Sequence, residues 1–152
     1  MIIEELKEDI LKVSVRLIGE GHKVVLLHGC NCFHTMGGGI ALYLKNKYPE
    51  IYEADLITKY GDREKLGGFS YEEINNNLTI ANCYTQHGYG NDRVYVESDA
   101  IFNSVSRVCE YYPNHYILMP KIGCGLAGGD WKEIKPIINS ALKNKDAVVC
   151  YI

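Results

Sequence analysis

Two glycine-rich segments, each leaving an apolar run and opening a helical pattern, constrain this chain more than any other feature. The first spans residues 31–39 and ends in Gly37-Gly38-Gly39. The second runs Gly123-Cys124-Gly125-Leu126-Ala127-Gly128-Gly129. Glycine lets a backbone turn sharply and lets a ligand approach with no Cβ in the way. Free N–H groups at a helix start, or in a run of successive amides, attract anions. Two such loops at one sheet end would grip a diphosphate from both sides. Either loop alone can be a tight strand-to-helix turn, but seven glycines in two connections exceed what turning needs.

The flanking patterns supply the scaffold. Short apolar runs predict strands over residues 23–28, 66–70, 77–84, 115–121 and 147–151. Ile40, Ala41, Leu44 and Tyr48 share one helical face, and a second helix is expected over 50–60, stopped by Gly61. Ser98 is placed to cap a helix carrying Ile101, Val105, Val108 and Tyr112. Trp131, Ile134, Ile137, Ile138 and Ala141 describe a last helix, which Pro136 is expected to kink or restart. Strands alternating with helices imply an α/β fold with a sheet covered on both faces. In such sheets ligands bind beyond the carboxyl ends of the strands, where both glycine loops would lie.

Length and composition fit a single domain over 1–152: 47% hydrophobic and 23% charged residues, with a formal net charge of −3. That charge excludes a basic nucleic-acid footprint over the whole chain. The N-terminus lacks a basic start followed by an apolar stretch, and no run approaches the ~18 residues of a membrane span. A cytoplasmic protein without membrane partners is expected. The six cysteines then read as free thiols.

Three other chemistries compete for these residues. Gly123-x-Gly125-x-x-Gly128 matches the dinucleotide fingerprint. That fingerprint wants an acidic residue ending its second strand, whereas Asp146 precedes the last strand. His28-x-Cys30-x-Cys32-x-His34 holds four zinc-ligand types, but along an extended strand they spread over ~20 Å. Cys30 or Cys124 as a phosphatase nucleophile would want a nearby cation, and no arginine follows either in its loop. No metal and no cofactor is expected.

At these residues the chain resembles a known family. Leu27-His28-Gly29-Cys30-Asn31-Cys32 followed by Gly37-Gly38-Gly39-Ile40-Ala41 is similar to the first binding loop of macrodomains. Met119-Pro120-Lys121-Ile122-Gly123-Cys124-Gly125-Leu126, with Asp130-Trp131 after it, resembles their second. Glu8-Asp9-Ile10-Leu11 is similar to their short Asp-Ile motif at the adenine end. The resemblance spans nearly the whole chain. It implies a three-layer α/β/α sandwich around a central mixed sheet, with ADP-ribose or ADP-ribose 1''-phosphate as ligand. ADP-ribosylated macromolecules are further candidate partners, and a monomer is the default. Asp9 would accept from the adenine amino group and Ile10 would donate from its backbone. Gly37, Gly38, Gly39 and Ile40, with Gly123, Cys124, Gly125, Leu126, Ala127 and Gly128, would cradle the diphosphate and distal ribose. Asn31 would contact that ribose, and Tyr151 would pack on adenine.

Within the family, the His-Gly-Cys-Asn-Cys stretch most resembles yeast-type ADP-ribose 1''-phosphate phosphatases. That likeness implies a hydrolase in which His28, Asn31 and Asp130 carry catalysis. A histidine of ordinary pKa, about 6.5, can activate water near neutrality. Asp130 can orient a water, or simply cap the helix through Asp130-x-x-Glu133. The alternatives are an ADP-ribosyl hydrolase that removes ADP-ribose from protein or nucleic acid, by water or by a covalent lysine route, and a non-catalytic binding module. The lysine branch has a lysine after the central strand and, in one subgroup, an aspartate shortly after Gly-Cys-Gly-Leu. The corresponding places here hold Gln86 and Ala127, which counts against the lysine route. The polar stretch 87–93 is either a cover for the distal ribose or a surface connection.

Overall fold

A computed structural model describes all residues, 1–152. The strands are β1 (Ile2–Leu6), β2 (Val24–Cys30), β3 (Phe69–Glu73), β4 (Leu78–Tyr84), β5 (Tyr116–Pro120) and β6 (Ala147–Cys150). The helices are α1 (Ile10–Gly19), α2 (Gly39–Lys47), α3 (Glu50–Leu56), α4 (Ser98–Tyr111) and α5 (Trp131–Leu142). The strands make one sheet in the order β1-β6-β5-β2-β4-β3. Every neighbouring pair is parallel except β3 on β4, which is antiparallel. The sheet is mixed, and helices cover both faces, as the α/β/α expectation requires.

Alternation along the central strand builds both cores. Val24 and Leu26 of β2 face α1, α2 and α3, packing with Val13, Leu44 and Ile51. Val25 and Leu27 face α4 and α5, packing with Ile101, Val105 and Ile138. Successive strand residues point to opposite faces, so an unbroken apolar run is what a strand buried on both sides needs. Five parallel strands then deliver their carboxyl ends to one edge.

Several local expectations shift. Helix α3 stops at Leu56 instead of reaching Tyr60, because the Thr58 amide and hydroxyl both donate to the Asp55 carbonyl, at 3.0 and 2.6 Å. The strand expected over 66–70 begins at Phe69. Leu66 closes a 3₁₀ turn (Arg63–Lys65), and Gly67 sits at φ +82 against Asn103. Glu97, not Ser98, occupies the N-cap of α4 and makes no side-chain cap bond. Pro136 lies inside α5 without dividing it. β1 and α1 have no counterpart among the predicted elements.

Candidate functional site

A cavity of about 960 Å³ lies along the carboxyl edge of the sheet, at the upper end of the range for small-molecule sites. Its wall is built from the segments that follow β1, β2, β4, β5 and β6.

At the β1 end stand Glu8, Ile10, Tyr43, Cys150 and Tyr151. The Ile10 amide has no acceptor within the chain. Asp9 is the N-cap of α1: one carboxylate oxygen accepts from the Leu11 amide at 2.8 Å, the other from the Tyr43 hydroxyl at 2.6 Å. The Tyr43 hydrogen bond holds its carboxyl below the ordinary aspartate range, against a smaller opposing effect of burial. Asp9 therefore borders the cavity through Ile10 and Tyr43 and does not itself line it. Tyr151 lies just past the end of β6, one-third exposed, with the Lys121 ammonium 4.1 Å from its ring centre. It is a wall residue, not a core one.

The middle of the cavity is two rows of unpaired amides. The N–H groups of Gly37, Gly38, Gly39, Ile40 and Ala41 make no hydrogen bond within the chain, nor do those of Gly125, Leu126 and Ala127. All eight residues line the cavity. Such rows at a helix start and in a loop concavity attract oxyanions. The glycines divide by task. A Cβ on Gly123 (φ +78) would stand 2.6 Å from Val96, and one on Gly129 only 2.5 Å from Ile134, so these two permit close packing. A Cβ on Gly37 or Gly125 would meet nothing within 4 Å. Gly128 lies outside the lining and turns the loop, its amide bonded to the Gly125 carbonyl at 3.1 Å. Leu126 reaches across to Gly38, so the two loops touch.

The β4 end is lined by Asn31, Thr35, Gln86, Tyr89, Gly90 and Asn91. Asn31 is nearly buried and spends its amide inside the first loop. It donates to the Thr35 hydroxyl at 2.6 Å and accepts from the Phe33 amide at 2.8 Å. Gln86 donates to the Gly88 carbonyl at 2.9 Å.

The two titratable candidates stand elsewhere. His28 is fully buried on the α3 face of β2 and does not line the cavity. The Asn82 amide donates to the Ile51 carbonyl at 2.9 Å and the Ser70 hydroxyl at 3.0 Å. Its oxygen is thereby left to accept from His28 Nε2 at 2.6 Å. Burial pushes the imidazole pKa down to about 4, with the Asn82 contact opposing weakly, so the ring is neutral at pH 7. Asp130 is the N-cap of α5, accepting from the Lys132 amide at 3.0 Å, and it too lies outside the lining. Burial raises the thiol pKa of every cavity cysteine, Cys124 and Cys150 to about 11 and Cys30 further. None is poised as a thiolate nucleophile.

Of the residues singled out in the sequence, the fold thus brings Ile10, Asn31, Gly37 to Ile40, Gly123 to Ala127 and Tyr151 to one cavity. Asp9 and Gly128 are at its border, and His28 and Asp130 lie behind the wall. Glu8, Thr35, Tyr43 and Cys150 are cavity residues that sequence reasoning missed. For Cys150 the available signal was its place at a strand's carboxyl end. Tyr43 gave none, because its partner Asp9 is 34 residues away.

No family model matches the chain. An uncharacterised 17.5 kDa protein of bacteriophage T4 is 37% identical over 157 residues, covering 98% of this chain and 96% of that protein. An ADP-ribose 1''-phosphate phosphatase of Candida albicans is 27% identical, covering 95% and 94%. A solved Bacteroides thetaiotaomicron protein superposes with a TM-score of 0.81 at 28% identity, covering 98% and 99%. The macrodomain of Mycobacterium tuberculosis DarG superposes at 0.76 with 23% identity, covering 100% and 98%. Sheet order, paired amide loops at the carboxyl edge and the superposition on the DarG macrodomain agree, and the chain has the macrodomain fold.

Proposed function

We propose that the chain binds ADP-ribose along the carboxyl edge of the sheet and hydrolyses a bond at the distal ribose, with ADP-ribose 1''-phosphate as the favoured substrate. The observation that carries the reading is the facing pair of unpaired amide rows, Gly37–Ala41 and Gly125–Ala127, in the middle of the cavity. A diphosphate bridged there leaves the adenosine toward Ile10 and Tyr151 and the distal ribose toward Asn31 and Gln86. The phosphatase assignment draws on the name of the Candida relative, which spans nearly the whole chain.

The protein's own groups suggest how turnover would run. Gln86, whose amide oxygen makes no hydrogen bond within the chain, accepts from a water at the distal phosphate, Asn31 shapes the first loop beneath it, and attack of that water on the phosphate ester yields ADP-ribose and inorganic phosphate. His28 supports this from behind as a positioning residue, fixing β2 where Asn31 emerges. Asp130 likewise sets the start of α5 and the frame of the second loop. Phosphorus NMR of ADP-ribose 1''-phosphate with the protein tests the reading. Loss of the monophosphate signal with growth of inorganic phosphate is expected, and an unaltered spectrum at high protein concentration overturns it. A second reading, a module that holds ADP-ribose free or attached to macromolecules, is favoured by one observation. The β4 end offers amides and hydroxyls but no carboxylate, imidazole or ammonium. Shifted signals without turnover would select it.

A further inference from the structure

At the β4 end of the cavity Tyr89 is the one aromatic lining residue, and a cluster of rings that do not line the cavity packs beside it. Tyr89, a lining residue, packs toward Phe33 with ring centres 6.4 Å apart. Phe33 in turn meets His87 at 4.8 Å and Tyr60 at 5.4 Å, both edge to face. These rings come from three separate segments: the first loop, the turn after α3, and the connection after β4. Phe33 and His87 are half-buried, and the His87 ring is tied to the Gly61 carbonyl at 2.9 Å. Tyr89 and Tyr60 remain 56% and 67% exposed. The half-buried inner rings thus pack against the two largely exposed outer ones. Exposed rings held by neighbouring aromatics can act as stacking surfaces, because any flat base or heterocycle has a π-face to offer.

The surrounding charge limits what would stack. Lys59, Arg63 and Arg93 lie near these rings in the chain, but so do Asp62, Glu64 and Asp92, and Arg93 and Lys59 are each within 4.0 Å of one of these acids. A polynucleotide needs a row of uncompensated cations for its phosphates. Here there is a platform without a track, which favours one ring on a small ligand.

Given the reading that ADP-ribose occupies the cavity, we propose that Phe33, Tyr60, His87 and Tyr89 form a stacking subsite beyond the distal ribose. It takes a planar heteroaromatic group, about the size of a nucleobase, joined to that ribose. The site would then accept dinucleotide-like ligands as well as a phosphorylated distal ribose.

The test is calorimetric titration with two compounds, ADP-ribose and adenosine linked through diphosphate to a second adenosine. The latter carries a base where ADP-ribose has a free distal hydroxyl. The dinucleotide is expected to bind about tenfold more tightly, the scale of one base–aromatic stack. Tyr89→Ala should bring the affinity ratio of the two compounds close to one, Tyr89→Phe should preserve it, and Tyr60→Ala should lower it. A native ratio at or below one, with ADP-ribose still bound, overturns the stacking subsite and leaves the cavity assignment standing. Failure of both compounds to bind sinks both readings. A short single-stranded oligonucleotide that binds tightly, and loses affinity steeply with salt, would replace the small ligand by a polynucleotide.

Discussion

His28 illustrates how far one buried ring reaches into the behaviour of the molecule. Its folded pKa of about 4 lies below the 6.5 of an exposed imidazole. Above pH 6.5 both folded and unfolded forms are neutral, and stability is unaffected. Between 6.5 and 4 the unfolded chain binds a proton that the folded chain refuses, so stability falls by about 1.4 kcal/mol per pH unit. The total loss is about 3 kcal/mol by pH 4. Urea midpoints for the native protein and His28→Gln at pH 7, 5.5 and 4.5 check this. The variant should have a shallower slope, the remainder coming from His115, whose pKa burial also lowers, and from the carboxyls held low by hydrogen bonds, and a parallel pair of curves would refute the His28 share. Asp9 offers a complementary separation. Asp9→Asn keeps an oxygen to cap α1, so melting should move little, whereas Asp9→Ala should cost about 1 kcal/mol of stability. If the carboxylate serves adenine through its charge, both variants weaken ADP-ribose by about 1.5–3 kcal/mol, read by calorimetry. Undiminished affinity in Asp9→Asn would confine Asp9 to capping.

At the scale of elements, the second glycine loop does two jobs that substitution can pull apart. Gly123→Ala combines a positive φ with a methyl 2.6 Å from Val96. We expect it to cost upwards of 1 kcal/mol, measured as a lowered melting temperature. Gly125→Ala adds a methyl in open space beside the unpaired amides. It should melt like the native protein and bind ADP-ribose more weakly. Equal stability in the two variants would contradict the division of tasks. Much of this level was legible beforehand. The apolar runs of β2 and β4 and the faces of α4 and α5 stand out because a buried strand is uniformly apolar and a half-buried helix repeats every 3.6 residues. β1 was not legible, since Ile2–Leu6 carries two glutamates and lies at a sheet edge. α1 was not legible either, since its apolar positions include β-branched Ile10, Val13, Val15 and Ile18, which suit a strand as readily as a helix. Pro136 does not restart the helix: continuity through it is held by the burial of Ile134 and Ile138 on either side, a gain that outweighs one lost backbone bond.

For the whole molecule, a ligand that spans loops from five strand ends should stabilise the fold as a unit. At a hundredfold excess over its Kd, ADP-ribose should contribute about 2.7 kcal/mol and raise the melting temperature by about 5–10 °C. An unmoved transition at that excess would deny the cavity this ligand. No helix is long and apolar enough to cross a membrane. The sequence by itself determined the alternation of strands and helices, the two glycine loops and the likeness that joined them, because each is written in contiguous residues and short-range sterics. Only the tertiary structure decided that His28 turns toward α3 and Asn82, that Asp130 caps α5 behind the wall, and that Phe33, Tyr60, His87 and Tyr89 meet. Strand parity tells which residues share a face, but which face meets the cavity depends on how distant segments pack. That packing is a balance of burial summed over the whole sheet, and no local pattern contains it.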